Sequence, residues 1–185
     1  YITIGTGCGV GVVVNGNLIS GLQHPEGGHI KISKLPNDNF EGNCPIHKDC
    51  LEGMITNGAL MNRKKLSSVQ ECENISDDDE IWDFIGNYIA QLCLNLLYIV
   101  SVEKILIGIF LFFLIFFLIF IFLGGGIINR KNLLEKIHDS FVKLNNNYIF
   151  KPILQKENIH EWIKRTEFKN DSGIISAFSL MMQLD

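Results

Sequence analysis

A chain of 185 residues can bury a sizeable core as a single domain. Its net charge of −4 and pI of about 5.7 exclude a general nucleic-acid binder, since no basic stripe is present to neutralise phosphates. Of the five cysteines Cys8, Cys72 and Cys93 are scattered, and the set is not a disulfide framework, which predicts a reducing, cytoplasmic compartment.

The chain opens without Met on Tyr1 to Ile4, which reads as a strand, and this predicts a fragment whose N-terminal part is missing. A second strand is predicted over 9–14. Asn15-Gly16-Asn17 is a type I′ hairpin signal leading to a third short strand, Leu18 to Ser20. Between the first two strands lies Gly5-Thr6-Gly7-Cys8-Gly9. Glycines there let backbone N–H groups approach an anion, and Thr6 adds a hydroxyl donor. Tight strand turns also use glycine, so a plain turn and a phosphate site both stay open. No Gly-Lys-Ser/Thr follows, so this is not a Walker loop.

Residues 21–49 are loop-rich. They contain His24-Pro-Glu26-Gly-Gly-His29, and the segment Cys44-Pro-Ile-His47-Lys-Asp-Cys50 runs on from them. Thiolate sulfur and imidazole nitrogen suit tetrahedral Zn²⁺, and C-x2-H-x2-C lets one loop supply three ligands. His29 is the nearest fourth candidate, and the glycines before it permit close backbone approach. The competing view is a surface loop with unrelated Cys and His residues. With four protein ligands no position is left for an activated water, so the metal is expected to be structural. Glu26 and Glu52 bracket this loop, and two held carboxylates suit the hydroxyls of a polyol. His24, His138 and His160 read as ordinary polar residues, and Trp82 and Trp162 as packing anchors.

A helix is predicted from Cys50 to about Asn62. The acidic run Asp77 to Glu80 then charges the N-terminus of a long helix, Ile81 to Val100. Lys104 to Ile107 reads as a strand. Ile105 to Leu123 is apolar apart from Gly108, and residues 109–123 are Ile, Phe and Leu only. Its length approaches the ~20 residues that span a bilayer, with Arg130 and Lys131 as a flank. Three readings stand: a translated intron of about sixteen residues near 109–124, a transmembrane helix, or a buried insertion. Removing the run joins Ile105-Leu-Ile-Gly108 to Gly125-Gly126-Ile-Ile-Asn129, a strand ending in a glycine turn at the start of a helix. Such a helix N-terminus favours phosphate or a nucleotide. Helices are predicted from Asn129 to about Asn145 and from Ser172 to Leu184, and residues 146–170 carry no assignment. Strands first and helix–strand–helix afterwards imply an α/β domain.

Taken together, Ile4-Gly-Thr-Gly7-Cys-Gly-Val-Gly11, Asn15-Gly16, Gly21-Leu-Gln-His24-Pro-Glu26-Gly-Gly-His29, Gly42-Asn-Cys44-Pro-Ile-His47-Lys-Asp-Cys50-Leu-Glu52-Gly53, Gly125-Gly126-Ile-Ile and Ser172-Gly173-Ile-Ile resemble the ROK family of sugar kinases. The likeness is greatest to its zinc-containing, bacterial-type fructokinases and covers nearly the whole chain as a C-terminal portion. It implies the C-terminal lobe of an actin-like, ribonuclease-H-type α/β kinase fold, with the N-terminal lobe missing. It also implies ATP- and Mg²⁺-dependent phosphorylation of a hexose, fructose at its 6-position, and a homodimer. Gly5, Thr6 and Gly7 would form a phosphate loop, and Gly125 and Gly126 the adenosine-side turn. Glu26, His29 and Glu52 would contact sugar, and His29, Cys44, His47 and Cys50 would hold structural zinc. The family's first glycine-rich loop and its general-base Asp would lie upstream of Tyr1. No catalytic base can therefore be named, and the chain is expected to be inactive alone. Thr56-Asn57-Gly58 departs from the family's usual Ser-Gly-Pro stretch. The alternatives are a ROK-type sugar-responsive regulator of transcription, or a membrane-anchored protein using the apolar run.

Overall fold

The computed structural model describes residues 1–108, 127 and 129–165. The apolar run 109–123, Gly125, Gly126 and the helix expected over Ser172 to Leu184 lie outside the described residues.

Strands β1 (Ile2–Ile4), β2 (Cys8–Val10), β5 (Ile105–Gly108) and β6 (Ile163–Arg165) form a four-stranded sheet in the order β2-β1-β5-β6. β1 runs antiparallel to β2, with Ile4 opposite Cys8, and parallel to β5, with Ile2 opposite Ile107. β5 and β6 are parallel, Ile105 opposite Ile163. Ile2, Ile4, Ile107 and Ile163 are fully buried, as β-branched residues on the inner face of a sheet should be. A separate hairpin pairs β3 (Val13–Val14) with β4 (Asn17–Leu18). Its turn residues Asn15 and Gly16 have φ of 50° and 78°, as a type I′ turn requires. The strand expected over 9–14 is therefore two strands in two sheets.

Helices α1 (Leu51–Ile55), α2 (Asn57–Lys64), α3 (Ile81–Val100), α4 (Leu133–Asn145) and the short α5 (Ile159–Trp162) complete the described fold. α3 packs against both α1 and α4. Gly86 makes its crossing with α4 close, because a Cβ there would stand 2.9 Å from the Cβ of Lys136. α3 is long and apolar enough to cross a membrane by length and composition, yet half of it is buried inside the fold. Asp79 receives the Ile81 N–H at 3.1 Å, so the acidic run does charge the start of α3.

Two helix boundaries differ from expectation. The helix expected from Cys50 to Asn62 breaks at Thr56, whose backbone is extended (ψ 171°) and whose hydroxyl donates to the Glu52 carbonyl at 2.9 Å. The helix expected from Asn129 begins at Leu133, because Arg130 is held elsewhere. Its guanidinium donates to the carbonyls of Ile75 (2.8 Å) and Cys72 and lies 4.9 Å over the Trp82 ring. Trp82 and Trp162 are both buried and donate to the carbonyls of Ser76 and Val102, which makes them packing anchors. His138 Nε2 donates to the Ile163 carbonyl at 2.9 Å, an ordinary structural hydrogen bond.

Candidate metal centre and glycine turn

The loop carrying Cys44 closes on itself: Cys44 N–H donates to the Lys48 carbonyl and Lys48 N–H to the Cys44 carbonyl, at 3.2 and 3.0 Å. Lys48 takes a left-handed φ of 58° to make the bend. Gly53, in α1, lies against this bend, and a Cβ there would meet the Lys48 carbonyl oxygen at 1.9 Å. His29 reaches the loop from a one-turn 3₁₀ helix, Gly27–His29, that rests on β2. Only glycine fits at 28, where a Cβ would stand 2.0 Å from the Cys8 carbonyl oxygen.

These contacts bring one ligand atom from each of His29, Cys44, His47 and Cys50 to within 4.8 Å of one another. His29 Nδ1 lies 4.0 Å from Cys44 Sγ and 3.6 Å from Cys50 Sγ, and His47 Nδ1 lies 3.9 Å from Cys44 Sγ. A tetrahedral zinc with ordinary bond lengths would hold sulfur and nitrogen about 3.6 Å apart, so the donor set and its spacing both fit zinc. The His47 N–H points at Cys44 Sγ (3.4 Å) and lowers that thiol's pKa, whereas burial raises that of Cys50.

Glu52 joins this cluster to the glycine turn. Its Oε1 lies 3.9 Å from His29 Nε2, and its Oε2 accepts the Cys8 N–H at 2.9 Å beside Gly7. His29 thus turns Nδ1 to the thiols and Nε2 to Glu52. On the other side of the turn, Asn57 at the start of α2 donates its N–H to the Gly5 carbonyl at 3.0 Å. The break at Thr56 makes that contact possible. Glu26 stands apart, exposed and paired with His24 Nε2 at 2.7 Å.

One feature of the site had no sequence signal. Asp38, buried in the loop leading to Cys44, takes a two-pronged ion pair from Arg63 of α2 (2.6 and 2.8 Å). Tyr88 of α3 adds its hydroxyl at 2.6 Å. Burial alone would raise the Asp38 carboxyl, but the hydrogen bonds from Arg63 and Tyr88 outweigh it and hold the group below the usual carboxylate range. Phe40 covers the guanidinium, with Arg63 4.2 Å from its ring centre. This cluster fastens the loop that leads to Cys44 to both helices.

The family model described as the ROK family matches residues 1–184. The chain is 34% identical over 186 residues to the fructokinase of Lactococcus lactis subsp. cremoris, covering all of the chain and 56% of that protein. It is 33% identical over 180 residues to the fructokinase of Pediococcus pentosaceus, covering 97% of the chain and 54% of the relative. The chain thus spans about half the length of these relatives, as a C-terminal portion. Among solved structures, a ROK family glucokinase from Streptomyces griseus in complex with glucose and AMPPNP superposes with a TM-score of 0.60 at 18% identity. That match covers 97% of the chain and 58% of the neighbour. The fold is that of the actin-like kinases.

Proposed function

The chain belongs to the ROK family, and from that premise we propose that it is the C-terminal half of an ATP-dependent hexose kinase that forms fructose 6-phosphate from fructose. The observation that carries the proposal is the continuity of the site. One carboxylate, Glu52, faces His29 of the Cys/His cluster with one oxygen and holds the Gly5–Cys8 turn with the other. A sugar recognised at the cluster would thus lie beside a turn able to receive a phosphate.

His29, Cys44, His47 and Cys50 would hold a zinc ion, which supplies rigidity to the loop and no activated water. His29 keeps Nε2 free of the metal for a sugar hydroxyl, and Glu52 Oε1 stands beside it to accept a second. Glu26 reaches sugar by exchanging His24 for a hydroxyl. The backbone of Gly5, Thr6 and Gly7 would receive the transferred phosphate, with ATP brought as its Mg²⁺ complex. Gly125 and Gly126, outside the described residues, would form the adenosine-side turn. The general base is expected in the half that the relatives have and this chain does not cover, so the 185 residues alone should not turn over. The complete protein is expected to be a cytoplasmic homodimer.

Fructose-dependent ADP formation tests the proposal. None is expected from the chain alone, and turnover is expected from a longer protein that supplies the N-terminal half. A zinc-loaded longer protein that forms no ADP with fructose would contradict the assignment. So would turnover by the 185-residue chain.

A further inference from the structure

We propose that Glu52 is a positioning residue that transmits occupancy of the metal cluster to the phosphate turn, beyond any contact it makes with sugar. The inference rests on the reading of Gly5-Thr6-Gly7 as a phosphate turn and of the Cys/His cluster as a metal site.

The turn is held at both ends by one short stretch of chain. At its far end, the Cys8 N–H is received by Glu52 Oε2. At its near end, the Gly5 carbonyl accepts from Asn57 N–H. Both partners follow Cys50 within seven residues, and Cys50 contributes a sulfur to the cluster and immediately precedes α1. The Thr56 hydroxyl, bonded to the Glu52 carbonyl, fixes the spacing between the two anchors. Within the turn the Gly5 N–H donates to the Gly7 carbonyl at 2.9 Å, so the conformation is tight. A side chain at 7 would crowd Glu52 Oε2, placing a Cβ 3.0 Å away.

The two carboxylate oxygens of Glu52 therefore have different tasks. Oε2 is committed to the Cys8 amide, and only Oε1 faces His29 and the open side of the cluster. When a metal draws Cys50 and His29 together, α1 is fixed at its N-cap, Cys50, and with it the carboxylate and the Asn57 amide that shape the turn. Loss of the metal frees α1 and loosens both anchors. By linkage, an anion bound at the turn would in return raise the affinity of the cluster for metal.

Amide hydrogen exchange on the full 185-residue chain, with zinc and after chelation, tests this without recourse to catalysis. In the wild type, removal of zinc should speed exchange at the Cys8 and Asn57 amides by roughly tenfold or more, with Ile89 in the middle of α3 unchanged as the folding control. In Glu52→Ala the Cys8 amide should exchange fast with or without zinc. Glu52→Gln keeps a carbonyl acceptor and should restore protection, which separates a specific hydrogen bond from a general loss of packing. Equal Cys8 rates in wild type and Glu52→Ala would overturn the tether. Unchanged Cys8 rates on chelation of a zinc-loaded chain would overturn the coupling. A folded chain that takes up no zinc overturns the metal reading and the coupling with it, and the Glu52→Ala comparison then decides the tether alone.

Discussion

Asp38 is buried with its charge, and its two-pronged pairing with Arg63 leaves little room for exchange with solvent. Replacing it by Asn keeps the shape but leaves the Arg63 guanidinium buried without its counter-charge. Breaking one side of a buried pair costs about 3–5 kcal/mol. Asp38→Asn is therefore expected to lower unfolding stability by about that amount, read by chemical denaturation monitored at the tryptophans. A change within ~0.5 kcal/mol would show that the pair contributes nothing net. The difference between this cluster and the metal cluster explains what was legible in the sequence. Cys44, His47 and Cys50 announce themselves, because three residues of two scarce types recur at fixed spacing and a local loop suffices to bring them together. Asp38, Arg63 and Tyr88 are common residues on three separate elements, and only the tertiary fold shows that they meet. Glu52 was legible as a held carboxylate, but its bond to the Cys8 amide depends on the position of β2, which no local pattern reports.

Among the elements, α3 and the hairpin turn followed from periodicity and from Asn15-Gly16, where local preference and tertiary packing agree. The break at Thr56 did not, because Leu51–Ile55 and Asn57–Lys64 continue one another in composition. The break between them turns the Asn57 amide to the glycine turn, more than fifty residues earlier in the chain. The strand Ile163–Arg165 was also missed, being three residues long and placed only by its pairing with β5. The α3–α4 crossing gives a prediction at this scale. Gly86→Ala gains about 1 kcal/mol of helix propensity, but the added methyl would press on Lys136, and such overpacking costs about 1–3 kcal/mol. Net destabilisation is expected, seen as a lower Tm, and a raised Tm would mean that α4 yields. For the apolar run 109–123, Ile107 before it and Ile127 after it are both buried in one apolar core, and the intron reading of the run is tested at the transcript. The mature transcript is expected to lack the tract; a transcript that retains it removes the intron reading.

As a whole, the described residues form one apolar core that includes residues of a mixed four-stranded sheet, and the Cys/His loop is joined to the glycine turn through Glu52 of α1 and Asn57 of α2. The α/β class was legible from the order of elements. The four-stranded order β2-β1-β5-β6 was not, because it depends on pairings separated by about a hundred residues. The same long reach gives the site its character: residues 5–8 at one edge of the chain's first hairpin are positioned by residues 50–57, and these by a cluster that begins at His29. A metal at that cluster is the premise of the proposed sugar site and of its proposed coupling to the glycine turn. The zinc content of the purified chain is the most direct measurement of it. One zinc per chain is expected, falling to none in Cys50→Ala. A folded chain that carries no zinc, or a Cys50→Ala variant that retains it in full, would contradict the account.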